Sequence, residues 1–221
     1  MYKVGRFQVA IIIPAFNEES TIYAVVQSVK KYGPVIVVND ASTDNTKKIS
    51  LEAGATVISL TENKGYDGAL NIGFVRAQEL DCNAIVTFDA DGQHDPDKLK
   101  EYIECLRGGI DLVLGVRAKT SRIAEWIFAL YTRIKFKWTD PLCGMKGYSM
   151  ALYQRQGYFD SCNSIGTELA FYGLRNGFSY TQLTVPIEKR KDSPRFYSDM
   201  TANFYILSAL IKMMKFQQVE K

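Results

Sequence analysis

The chain has 221 residues, of which 47% are hydrophobic and 23% charged, with a formal net charge of +3. That balance excludes a disordered or fibrous chain and allows one large folded domain, and so small a charge makes no case for a nucleic-acid partner. Four cysteines without C-x-x-C spacing and a single histidine exclude a zinc module, no apolar run reaches the ~20 residues of a membrane span, and no secretory signal is read at the start, so a reducing, cytoplasmic setting is expected.

Residues 8–13 form a continuous apolar run and predict a first strand ending at Pro14. A turn, Ala15-Phe16-Asn17-Glu18-Glu19, leads to a helix over 20–32 with apolar spacing at Ile22, Val25, Val26 and Val29. A second strand is predicted at 34–38, a helix to about Ala53, a third strand at 56–60, and a helix at 65–80 with a small-residue face of Ala69, Ile72, Gly73, Val75 and Ala77. The fourth strand, 84–88, runs into Asp89-Ala90-Asp91-Gly92-Gln93, and Asp95-Pro96 reads as a cap with Pro at the first helical position. A helix over 98–106 and a strand over 110–114 follow. Strand and helix thus alternate, which predicts an α/β domain with a mainly parallel sheet and right-handed crossovers.

In such sheets ligands bind outside the carboxyl ends of the strands. Three polar clusters fall there: residues 14–19, 40–44 and 89–93. Asp89 and Asp91 alternate at a strand end, so both carboxylates can face one crevice. That suits a hard divalent cation shared with a diphosphate, with Gln93 adding a neutral oxygen. The plainer alternative is an Asp-rich turn. Asp40 and Glu18 are placed to accept from a nucleoside, and Lys64-Gly65 brings a cation and a close-approaching backbone to the same crevice.

Pro14-Ala15-Phe16-Asn17-Glu18, Val38-Asn39-Asp40-Ala41-Ser42-Thr43-Asp44, Asn63-Lys64-Gly65 and Asp89-Ala90-Asp91-Gly92-Gln93-His94 follow one another in the order and spacing of family 2 glycosyltransferases of GT-A fold. The chain most resembles the dolichyl- or polyprenyl-phosphate mannose/glucose synthases, over roughly residues 8–195. The resemblance implies that Pro14, Ala15, Asn17, Glu18, Asp40, Lys64, Asp89 and Ala90 surround the nucleotide sugar, a GDP- or UDP-sugar. It implies that Asp91 and Gln93 hold Mg²⁺ or Mn²⁺ on the diphosphate, and that the sugar is transferred with inversion. Asp140-Pro141-Leu142-Cys143-Gly144-Met145-Lys146 resembles the segment beneath the sugar pocket, where Gly144 and Gly147 would permit a tight backbone.

Arg117, after the fifth strand, is expected at the active edge. Residues 121–138 are aromatic and basic, reading as a membrane-surface or partner-binding helix, and the resemblance makes them the acceptor side. Glu168 opens a helix running to about Asn176; it is read as a base, a sugar or acceptor ligand, or first-turn helix charge. Residues 178–187 predict one or two strands. Arg190 and Arg195 lie where relatives carry a phosphate-closing loop, although the Gly of that loop is missing. Residues 1–195 are expected to form the catalytic domain and 196–221 an amphipathic helix that packs on it, pairs a second subunit or lies on a membrane.

The expected acceptor is a polyprenyl or dolichyl phosphate at the cytoplasmic membrane face, with a saccharide hydroxyl as the alternative. A nucleotidyltransferase would begin with a Gly-rich loop, which Pro14–Glu18 is not. A sugar-nucleotide-binding module without transfer activity is the non-enzymatic alternative.

Overall fold

The computed structural model describes residues 7–118, 122–187 and 199–215. Its strands are β1 (Val9–Ala15), β2 (Val35–Asn39), β3 (Thr56–Ser59), β4 (Ala84–Thr87), β5 (Leu112–Arg117), β6 (Lys146–Ser149) and β7 (Tyr180–Val185). Its α-helices are α1 (Ile22–Val29), α2 (Thr46–Glu52), α3 (Gly65–Glu79), α4 (Leu99–Arg107), α5 (Ile123–Phe136), α6 (Met150–Gln156), α7 (Glu168–Arg175) and α8 (Asp199–Lys215).

The strands form one sheet in the order β3-β2-β1-β4-β6-β5-β7. β6 runs antiparallel to both β4 and β5, and the other neighbours are parallel. β1 continues through Pro14, one residue beyond the expected end. Ile12 bonds toward β4, its carbonyl accepting from Phe88 N, so Pro14, two residues on, turns its donorless nitrogen to the same side, where β4 has ended at Thr87.

Sequence reasoning missed β6 and α6. Lys146-Gly147-Tyr148-Ser149 has neither an apolar run nor clean alternation. What makes it a strand is its position between two others, with Ile85 opposite Tyr148 and Leu112 opposite the same Tyr148. Neither Gly144 nor Gly147 adopts a positive φ. Gly147 is a strand residue packed under Tyr102 and Leu106 of α4, so the tight backbone expected there is a close approach between elements, not a left-handed turn.

Alternate strand residues feed two cores. Ala10, Ile12, Ile36 and Val38 join one face, covered by α3 and by α5 to α8. Ile11, Ile13, Val35 and Val37 join the other, covered by α1 and α4. α3 lies close because Gly73 faces Ile12, and a side chain there would overlap it. Its buried face is Ala69, Leu70, Gly73, Phe74 and Ala77, following i, i+4 spacing, while Val75 is 50% exposed and not part of it. Among the described residues no helix is long and apolar enough to cross a membrane.

Candidate active site

The first three sheet-edge loops are welded by side chain to backbone bonds. Asn17 adopts φ 54°, tolerable for Asn, and its Oδ1 accepts from Thr43 N at 2.8 Å while its own N donates to Ser42 Oγ at 2.9 Å. Glu18 is buried; its N donates to Thr46 Oγ1 at 2.7 Å and its Oε2 accepts from Thr21 Oγ1 at 2.8 Å. Asp40 accepts from Lys64 N at 2.7 Å on one oxygen and Gly65 N at 2.9 Å on the other. Its first task is therefore to pin the start of α3, and burial pushes its carboxyl up from the ordinary range. Lys64 serves through its backbone; its Nζ stands 3.6 Å from Glu62. Pro14 and Ala15 close β1 beside this cluster, and Asp40 N donates to Ala15 O at 2.9 Å.

The fourth loop holds the two expected aspartates. Asp91 Oδ1 accepts from Gln93 N at 3.0 Å, so the two expected metal ligands share one turn around Gly92, whose φ is 72°. Asp89 Oδ2 lies 2.8 Å from Nε2 of the buried His94. Burial alone would raise the Asp89 carboxyl, but the charge and hydrogen bond of His94, with Lys146 and Arg117 beyond, hold it below the usual carboxylate range. Ala90 is buried between the two aspartates. A Cβ on Gly144 would land on the Asp89 carboxylate, so glycine is required there by close approach. Carboxylate and amide oxygens are hard donors, and two of them with diphosphate oxygens suit Mg²⁺ or Mn²⁺; the residues present fit such an ion.

Two residues of this centre carried no assignment from sequence alone. His94 is the chain's only histidine, and it follows Gln93 directly. Lys146 is buried at 2% exposure, with Nζ 5.9 Å from the Trp138 ring. Burial pushes its ammonium down, against Cys143, Asp140 and Asp89, which pull it up. The signal for Lys146 was a charged residue inside an otherwise apolar stretch, which only burial makes telling.

Two expected catalytic residues are redirected. Arg117 makes a two-pronged bond to Asp140, Nε to Oδ2 at 2.8 Å and a terminal nitrogen to Oδ1 at 2.9 Å, and reaches Glu125 at 3.2 Å. It ends β5 as a clamp on α5 and the segment before β6, with its field reaching Asp89. Glu168 is buried at the start of α7, accepting from Ser161 N at 2.6 Å and from Ser161 Oγ at 2.9 Å. It lines a crevice with Arg155, Tyr158 and Met213. Asp160, Cys162 and Glu168 are close enough to one another to suggest a metal cluster. Asp160 is already bound by the amides of Cys162, Asn163 and Ser164, and the three serve to shape this loop.

Arg190 and Arg195 lie outside the described residues. The chain enters that stretch at Ile187, which forms an antiparallel bridge with His94.

Several known proteins resemble this chain. Over 132 residues the chain is 36% identical to a UDP-N-acetylglucosamine–dolichyl-phosphate N-acetylglucosaminyltransferase of Methanococcus voltae, covering 51% of this chain and 53% of that one. Over 161 residues it is 31% identical to an undecaprenyl-phosphate mannosyltransferase of Micrococcus luteus, covering 64% and 66%. The chain thus spans about half to two thirds of the length of these relatives. In fold it matches a glucosyl-3-phosphoglycerate synthase from Mycobacterium tuberculosis, crystallised with Mn²⁺ and UDP-glucose, at a TM-score of 0.75 and 20% identity over 96% of this chain and 80% of that one. The expected GT-A architecture is therefore the one found. Residues 10–161, most of the sheet and every welded loop, match the model of glycosyl transferase family 2, and the chain belongs to that family.

Proposed function

We propose that this chain moves a hexose from a nucleotide-diphosphate sugar to a polyprenyl or dolichyl phosphate, with inversion at the anomeric carbon. The observation that carries the reading is the Asp89–His94 pair with Gly144 pressed against it, beside the Asp91–Gln93 turn. A carboxylate held this rigidly at a strand end is built to orient a polar ligand. Asp40, Asn17 and Glu18 shape the nucleoside end of the crevice. Asp91 and Gln93 would hold Mg²⁺ or Mn²⁺, which as a Lewis acid offsets charge developing on the leaving diphosphate. Lys146 adds a fixed positive charge behind Asp89.

The engagement of Glu168 with Ser161 favours the phosphate acceptor over a saccharide hydroxyl. A hydroxyl needs a base to remove its proton, whereas a phosphate monoester is already ionised near pH 7. The names of the relatives from M. voltae and M. luteus point the same way. The reaction would take place at the cytoplasmic membrane face.

The test is thermal unfolding with UDP-, GDP- and dTDP-sugars, with and without Mn²⁺, followed by product formation with a short isoprenyl phosphate. A ligand at ~100 times its dissociation constant adds about 2.7 kcal/mol and raises the midpoint by several degrees. A shift with one nucleotide, requiring metal and lost in Asp91→Ala, supports the donor site. Stabilisation by a donor without transfer to either acceptor type would leave a binding module instead.

A further inference from the structure

Two neighbouring helices carry a second apolar stripe that faces solvent. On α5 it is Ile123, Ile127, Leu130 and Ile134, with steps of four, three and four residues. All are exposed, Ile123 by 77% and Ile134 by 72%. On α8 it is Met200, Phe204, Ile211 and Met214, with Met200 84% and Phe204 72% exposed. Both helices already bury an opposite face, Ala124, Phe128 and Thr132 on α5 and Ile206, Leu210 and Met213 on α8. These stripes are thus additional to what the fold requires. Single exposed apolar residues are ordinary, but eight on two packed helices form a patch. The helices are joined by Asn203 Oδ1, which accepts from Ala124 N at 3.2 Å.

The charge around the patch is predominantly positive. Arg133, Lys135, Lys137 and Lys215 are exposed. From Ile123 to Lys137 and from Asp199 to Lys215 the sequence holds two carboxylates, Glu125 and Asp199, the first residue of α8. Glu125 is buried and paired with Arg117 and Arg122. A second copy docked face to face would bring four cations of each chain together against a single carboxylate of these helices outside the Glu125 pair, Asp199. An anionic bilayer supplies both complements, hydrocarbon for the stripes and lipid phosphates for the Lys and Arg heads. The patch also adjoins the Arg117–Asp140 clamp. A groove of about 450 Å³ runs from Arg117 and Asp140 past Thr139 to Trp126, Leu130 and Arg133.

We infer that α5 and α8 form the docking surface of this protein on an anionic lipid bilayer. The surface stands on the exposed residues; its orientation, with the groove opening toward the lipid, rests on the acceptor reading above.

The test is flotation of the full chain with vesicles of phosphatidylcholine alone or with 30% phosphatidylglycerol, without donor or acceptor, alongside light scattering of the protein by itself. Two variants are compared: Ile123→Ser/Ile134→Ser/Met200→Ser/Phe204→Ser, and Lys135→Glu/Lys215→Glu. All six positions are exposed, so the midpoint of unfolding should hold. The wild type should float with the anionic vesicles, the apolar variant should bind at least tenfold less, and the charge variant should lose the preference for anionic lipid. Failure of the wild type to float, or equal flotation of the apolar variant, would overturn the inference. So would a wild-type dimer that the apolar variant turns into monomer. Transfer to a water-soluble short isoprenyl phosphate should be unchanged in the apolar variant. No such transfer by a wild type that floats would count against the acceptor reading and leave the surface standing.

Discussion

His94 Nε2 lies 2.8 Å from Asp89 Oδ2, and the opposite ring nitrogen, Nδ1, is buried without a hydrogen-bond partner among the described residues. The imidazole is wedged edge-on against Phe88, with ring centroids 5.5 Å apart, so packing fixes its angle and the ring in turn fixes the carboxylate. His94→Ala should leave the half-buried Asp89 carboxylate misdirected. We expect kcat/KM for the donor to fall roughly 10- to 100-fold, mainly through KM, and stability to fall by about 1–3 kcal/mol. Steady-state kinetics with urea unfolding checks this; a variant with wild-type KM would refute the positioning role.

Gly144→Ala tests the same contact from the other side. The added methyl meets the Asp89 carboxylate directly. A displacement of about 1 Å can cost on the order of 100-fold in rate, so activity should be nearly lost while the fold survives. Retained activity would mean that Asp89 has room to move.

Arg117 and Asp91 should separate by phenotype. Removing Arg117 leaves Asp140 and Glu125 buried without their main partner. Arg117→Ala should therefore cost on the order of 3–5 kcal/mol of stability. Asp91→Ala should leave the unfolding midpoint of the ligand-free protein nearly unchanged and abolish metal-dependent donor binding. An Arg117→Ala protein as stable as wild type but inactive would return Arg117 to the catalytic group.

Glu168→Gln separates a base from a structural carboxylate. The amide places a donor against Ser161 N, which already donates to Glu168 Oε2. Stability should drop by about 1–3 kcal/mol, with kcat within a few-fold of wild type. A loss above ~100-fold in kcat at unchanged stability would favour the hydroxyl acceptor and a base at this position.

Asp67 provides a pH test. Its oxygens accept from the backbone of Ile165 and Gly166, and burial, with Asp160 nearby, pushes its carboxyl up from 3.8 to about 6. A raised carboxyl means that the folded state holds its proton more tightly than the unfolded chain. The contribution of Asp67 to stability is thus greatest below pH 4 and falls as pH rises toward 6, by at most about 3 kcal/mol. The stability difference between wild type and Asp67→Asn should change in that sense between pH 4 and 7. A difference independent of pH would refute it.

The sequence exposed the parallel half of the fold because each of β1, β2 and β4 is an apolar run with its own turn, and such signals are local. It exposed Asp40, Asp89 and Asp91 for the same reason: acids at predicted strand ends can only sit at one edge. β6 was invisible because Lys146-Gly147 has no local strand signal; the neighbouring β4 and β5 impose the conformation.

What the chain by itself determined is the family, the sheet edge where ligands gather and the loops that line it. What tertiary structure decided is which polar groups are left for chemistry. Arg117 and Glu168 look like site residues until Asp140 and Ser161 are found bonded to them, while His94 and Lys146 look ordinary until they are found buried around Asp89. The physical reason is that a charge or hydrogen-bonding group is defined by its partners, and whether these lie 5 residues away, as for Asp89 and His94, or 23, as for Arg117 and Asp140, only the folded backbone brings the two groups into contact. The same holds for α5 and α8: both apolar stripes are written in the sequence, and only packing reveals which one the core consumes and which one is turned outward.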